Sequence, residues 1–326
     1  MKRKRKHGET SLVARLGLIL LAGGLVTLVL LSVRTIWQLL LNPPIDSTSD
    51  SSVMAPANLL KDSSLPVRAN FPEGVKMIVT LDSGDIFTTS AENGTLLPTG
   101  LRGSETTVSP DGYTLAYVRN EILYVHDSTG ERQTPLSGKL TMPRWGADGK
   151  YLAVVEREST GDSIIRFSLS AWQADVLLTV SQIAAPPVAN PATGRLLIVE
   201  KVGMGQTTFY TIDPDCATQG ACLASRRNIA TIPYSVSWAD YHPNAGSIVF
   251  SDDQSGNLHL LLTGNGQVQP ILADGQNPRC PIFSRDGRWL AYEDASEDGN
   301  LNLIKLSDNS KWIVNLSHAV NWAWVN

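Results

Sequence analysis

The phrase VSPDGYTLAY (Val108–Tyr117) returns in altered form as WGADGKYLAV (Trp145–Val154) and FSRDGRWLAY (Phe283–Tyr292). An apolar residue, an Asp-Gly turn and an apolar run, repeated along one chain, demand a fold assembled from copies of one hairpin unit. With the turn glycine as ruler, Gly112, Gly149 and Gly287 anchor three units, and weaker copies centre on Gly74, Gly194 and Gly246. Successive glycines lie 38, 37, 45, 52 and 41 residues apart. A period near forty, with insertions in two units, is that of propeller blades.

Every unit offers the same strands. After the glycine comes a short apolar run, as in KMIVT, TLAYV, YLAVV and SIVFS. A second run follows a polar hairpin, as in DIFTT, ILYVHD and LHLLLT, and a third closes the unit. β-Branched and aromatic residues fill the runs, Gly, Asp, Asn and Ser separate them, and the body shows no sustained 3.6-residue apolar period. One further strand precedes each turn, its last apolar position read at Val108, Trp145, Val188, Trp238 and Phe283. The first unit lacks that strand, while SHAVNWAWVN at the C-terminus (Ser317–Asn326) supplies a surplus one around Trp322. The expectation is an all-β, six-bladed β-propeller of four-stranded blades, closed by the C-terminal strand. Closure of this kind leaves only short, protected sheet edges.

The repeated turn is read as architecture. Pro110 presets φ, an Asp at the third position bonds its own downstream backbone, and glycine tolerates φ > 0. Asp111 and Gly112, Asp148 and Gly149, and Asp286 and Gly287 are therefore assigned as structural turns. Each Asp belongs to a separate blade, so the three do not converge as a catalytic or metal-binding set.

The N-terminal part reads differently. MKRKRK holds five of the 27 basic residues, leaving 22 basic against 31 acidic residues in the remainder. An acidic body excludes a nucleic-acid partner in the usual sense. The stretch LGLILLAGGLVTLVLLSV (Leu16–Val33) is uncharged and is followed by Arg34 and Trp37. Basic residues before an apolar span of this length predict a transmembrane helix with a cytoplasmic N-terminus. A cleaved signal peptide is the alternative, though no small-x-small site directly follows the run. The expected organisation is a cytoplasmic basic tail over 1–15, a transmembrane helix over 16–41, a Ser/Pro-rich linker over 42–70 and the propeller over 71–326. This describes a single-pass membrane protein with its propeller extracytoplasmic.

The phrase SPDGxxLAY, its hairpin and the ILYVHD strand resemble the repeat of TolB-type β-propellers, the six-bladed domain of a periplasmic protein of Gram-negative envelopes. The phrases at Asp111, Asp148 and Asp286 carry the resemblance, and the other units follow by strand pattern. It implies the fold and a binding role. Two departures from TolB are expected: the segment read as linker leaves no room for its N-terminal α/β domain, and the apolar span predicts an anchor. The repeat is also similar to the gating propeller of prolyl oligopeptidases, without their peptidase domain.

Cys216 and Cys222 fall in the longest insertion, and in an extracytoplasmic loop such a pair reads as a disulfide. Zinc would need two further ligands, which the neighbouring sequence lacks. Cys280 reads as a buried free thiol. The five histidines are scattered through the chain without metal or catalytic spacing, and no GxSxG, Walker A or dinucleotide motif is present. The hairpins SDDQSGN and EDASEDGN are acidic but lack the ligand order of an EF-hand. No cofactor, no metal and no catalytic residue are assigned. The functional expectation is a scaffold of the cell envelope that binds a protein or peptide, with Arg102, Arg144, Tyr234 and Arg279 as candidate contacts near the innermost strands. The alternative is a propeller hydrolase or lyase, lactonase- or glycosidase-like, which would need acids converging on the channel. Of the residues read as lining it, Glu105 is the acid.

Overall fold

Strands written as near-continuous apolar runs, rather than alternating ones, are strands buried on both faces. The computed structural model describes residues 67–325 except 91–93, 204, 273–276, 296–299, 315 and 317–318, and it places those runs inside a ring of six antiparallel sheets. YLAVV in Tyr151–Glu158 and SIVFSD in Ser247–Asp252 are buried at every one of those positions, because each blade packs a neighbour on both faces. The outermost strands carry polar sequence and are largely exposed, as in Gly130–Gln133 and Arg227–Ile232.

Blade one contains β1 (Val67–Arg68), β2 (Met77–Leu81), β3 (Asp85–Thr89) and β4 (Thr95–Arg102). Blades two to six each begin with their innermost strand: β5 (Ser104–Val108), β9 (Lys139–Trp145), β13 (Val188–Ala189), β17 (Val236–Tyr241) and β21 (Pro278–Phe283). The innermost strand of blade one is β25 (Ala319–Trp324), from the far end of the chain. It pairs antiparallel with β2 through Met77↔Trp324, Val79↔Trp322 and Leu81↔Ala319.

Buried apolar side chains among the described residues fall into six clusters, each joining one pair of neighbouring blades. Blades six and one share Ile282 and Leu303 with Met77 and Val79. Blades one and two share Ile78 and Ile86 with Val108 and Tyr117. Six interfaces for six blades mean a closed ring. β25 supplies Ala319 and Trp322 to one of these clusters and Ala323 to the other, so it seals two interfaces at once.

Three details depart from the sequence reading. The sheet begins inside the segment read as linker, since Val67 and Arg68 pair with Leu96 and Thr95 as a fifth, outermost strand of blade one. Gly94 (φ +63) permits this, because a Cβ there would lie 2.9 Å from the Phe71 carbonyl of the incoming chain. The insertion of blade four holds a short helix, α1 (Gln219–Ala224), capped by the Thr218 hydroxyl. Its Cys222 forms the expected disulfide with Cys216, with Cα atoms 5.1 Å apart, between the third and fourth strands of the blade. Finally, Trp145, Trp238 and Trp322 do not share a repeat position. The pairs Trp145↔Leu152, Tyr241↔Ile248 and Trp324↔Met77 are equivalent, so Trp238 sits three residues earlier in its strand than Trp145 does.

Candidate functional site

All six innermost strands run the same way along the channel, so their first residues surround one mouth and their last residues the other. At the first mouth lie three of the four residues singled out from sequence. Arg102 is 63% exposed and pairs with Asp85 at 3.1 Å. Arg279 is exposed and stands opposite Glu293 in the strand register. Tyr234 packs its ring against His259 and Phe250, with centroids 4.7 and 5.7 Å away. The fourth, Arg144, is next to last in β9 and lies toward the other mouth. The structure thus separates Arg144 from the rest.

The second mouth is ringed by the repeated turns. In blade two the Asp111 carboxylate accepts from the Ser109 hydroxyl at 2.5 Å and from the Tyr113 N–H at 3.1 Å, and the Gly112 N–H closes the turn on the Ser109 carbonyl. Blade six repeats this through Asp286, Ser284 and Arg288, and in blade three Asp148 accepts from the Lys150 N–H. Gly112, Gly149 and Gly287 have φ of 80°, 71° and 67°, the left-handed region that glycine enters without steric cost. Blade one has no such turn, because its two inner strands come from opposite ends of the chain. Arg285, at the second position of the blade-six turn, crosses that gap and donates to the Pro110 carbonyl of blade two.

Within this rim is a cavity of about 370 Å³. Its lip is formed by the second turn residues, Pro110, Ala147, Pro191, Pro243 and Arg285. Its walls include Trp145, Tyr241, Phe283, Trp322 and Trp324. One layer down, the last-but-one residues of the inner strands form a ring: Thr107, Arg144, Val188, Asp240, Ile282 and Ala323. A mostly apolar hollow with a few charged groups is the usual form of a ligand site.

The two charges in that ring are unusually placed. The Arg144 guanidinium forms no hydrogen bond or ion pair among the described residues, and its Nη2 is sealed without a partner. It stacks over Trp238 at 5.0 Å, and burial lowers its pKa against the opposing pull of Asp240, Cys280 and Glu105. Asp240 accepts from the Phe283 N–H at 2.9 Å, yet burial raises its carboxyl to about 6, with the backbone donors and Arg144 opposing. Both are half-buried, which costs each part of its hydration, and neither is neutralised by direct pairing among the described residues.

Beneath the ring, the inner strands carry bulges in which Glu105, Met142 and Cys280 have φ of 52°, 55° and 50°. Non-glycine residues held there cost about 1–2 kcal/mol each. Glu105 offsets part of this by bridging blades two and three, accepting from the Thr141 hydroxyl at 2.6 Å and from the Met142 N–H. Burial pushes the Cys280 thiol up to about 12, so it supplies no thiolate. Among the described residues no three of His, Cys, Asp and Glu gather into a metal-binding group. In the acidic hairpin at Ser251–Asn257, the carboxylate of Asp252 is taken by the N–H groups of Ser235, Gln254 and Ser255.

Sequence reading missed Asp240, Arg285 and the aromatic wall. It ended the inner strand of blade five at Trp238, which left Asp240 outside and made Glu105 the one acid. The better ruler was the proline. Pro110, Pro191 and Pro243 occupy one position of the rim, whereas the turns of blades four and five hold an extra residue before their glycine.

No protein-family model and no curated protein matches the chain. Solved structures do. TolB from Acinetobacter baumannii aligns with a TM-score of 0.52 at 18% identity, over 72% of this chain and 67% of that one. The structure assigned as TolB from Agrobacterium tumefaciens aligns at 0.55 and 13% identity, over 73% and 87%. The likeness is one of fold: a six-bladed propeller of the TolB type. A chain of a nidogen–laminin complex aligns at 0.59 with 12% identity, over 78% of this chain and 99% of that one. The span read as a membrane helix, 16–41, lies outside the described residues, and among those described no helix is long and apolar enough to cross a bilayer.

Proposed function

We propose that the chain is a membrane-tethered, extracytoplasmic β-propeller that serves as a protein- or peptide-binding scaffold of the cell envelope. The observation that carries the binding role is the hollow at the turn-side mouth. It has aromatic walls, a proline lip and a half-buried arginine that no side chain or backbone group satisfies among the described residues. Support for the location comes from the basic residues ahead of Leu16–Val33 and from the Cys216–Cys222 disulfide, a bond that persists in oxidising compartments. The TolB-type fold is in keeping with a scaffold.

The test uses the full chain in its native membrane. Protease added outside sealed cells should cleave the propeller, and partner recovery by affinity purification should fall with Arg144→Ala and persist with Arg279→Ala. A propeller protected from external protease, or recovery indifferent to Arg144→Ala, would count against the proposal.

A further inference from the structure

We infer that the turn-side mouth grips its peptide through a carboxylate, with Arg144 as the receiving cation. This rests on the peptide-docking reading above and names the chemistry that the docked segment must carry. A guanidinium has five N–H donors and keeps its charge in any protein environment. Among the described residues it is committed to nothing but the face of Trp238. Both neighbouring acids are occupied elsewhere: Glu105 by Thr141 and Met142, and Asp240 by the Phe283 N–H. A structural arginine at this depth would hold one of them at ion-pair distance, and Arg144 holds neither.

The indole N–H groups of Trp145 and Trp322, residues 8% and 3% exposed in the cavity wall, are likewise without acceptors among the described residues. Unsatisfied groups around this hollow are thus mainly donors, which calls for an acceptor-rich, negatively charged guest. At the lip Arg285 adds a second positive charge, held in place by its bond to the Pro110 carbonyl. The volume, about 370 Å³, is at the lower end for ligand sites. It admits one or two residues, so the guest is a chain terminus or an acidic side chain presented by an extended segment. Prolines at the lip and aromatic rings below suit the apolar flanks of such a segment.

The experiment offers the purified full chain three pools of acetylated random heptapeptides. One has a free C-terminal carboxylate and no acidic side chains, one is C-terminally amidated with a single Asp or Glu, and one is amidated without acids. Wild type should retain one of the carboxylate pools roughly tenfold or more above the neutral pool, and the pool retained identifies a terminus or a side chain. Arg144→Met should abolish the preference while leaving the melting temperature at pH 3.5, where Asp240 is protonated, unchanged or higher, because it removes a half-buried charge that makes no hydrogen bond among the described residues. Arg144→Lys should restore part of the preference. Equal retention of all three pools, or a preference that survives Arg144→Met, removes the carboxylate and leaves peptide docking standing. A lowered melting temperature in Arg144→Met at that pH would mark Arg144 as structural and overturn the inference. Retention of no pool removes both readings.

Discussion

Asp240→Asn should make the propeller more stable at neutral pH and leave it unchanged in acid. The folded carboxyl is raised from 3.8 to about 6 by burial, which outweighs the Phe283 N–H and the field of Arg144. A folded pKa above the unfolded one means that the folded state resists ionisation. Well below pH 3.8 both states are protonated and Asp240 contributes nothing. As pH rises from about 3 to 6 the unfolded state ionises first and stability falls; well above 6 the penalty is constant. Holding the carboxyl near 6 rather than 3.8 costs the folded state about 3 kcal/mol at most. Asparagine keeps an oxygen for the Phe283 N–H and drops the charge. For a domain of this size a gain of that order raises the melting temperature by roughly 6–12 °C. Tryptophan fluorescence melts of both proteins at pH 8 and pH 3.5 measure it. A gain of the same size at both pH values, or a loss at pH 8, would refute the argument that the charge is held against the preference of the fold.

Four other outcomes follow from the same structure. Asp111→Ala, Asp148→Ala and Asp286→Ala should each cost about 1 kcal/mol in denaturant titration, the worth of a turn hydrogen bond, and leave partner recovery intact. Trp322→Ala should cost about 3–5 kcal/mol, and deletion of 319–326 should yield aggregated protein by light scattering, because the edge of β2 is then bare. His259, buried against Tyr234 and Phe250 with both ring nitrogens unpartnered among the described residues, has its pKa lowered by burial. The unfolded state therefore takes up its proton first as pH drops below 6.5, and His259→Phe should lose less stability than wild type between pH 7 and 5.

Blade number and closure were legible because both follow from local chemistry repeated six times. A turn that needs glycine at positive φ, as at Gly112, Gly149 and Gly287, marks each unit. A strand at the C-terminus with no successor can pair only with the blade that lacks one. The inner register of blade five was not legible. A bulge shifts the pairing between Val236 and Trp238, and the longer turn at His242–Gly246 hides the shift, so Asp240 went unread. The site suffered in the same way. Arg102 and Arg279 are near inner strands, as is Arg144, but which mouth each serves depends on its place along the strand. Arg285 reaches a carbonyl 175 residues away across a gap that exists only because the ring is sealed by its ends. No local pattern encodes that contact.

Which mouth of the channel receives the partner decides whether the hollow beneath the turns is the docking site. Photo-crosslinking in native membranes, from an aryl ketone placed at exposed Ala147 on the turn side and separately at Arg279 on the other, reads this out. A defined adduct is expected from position 147, lost when Arg144→Met is added, with none from position 279. An adduct from position 279 with none from position 147 would place the partner on the opposite face and leave Arg144 without a role in binding it.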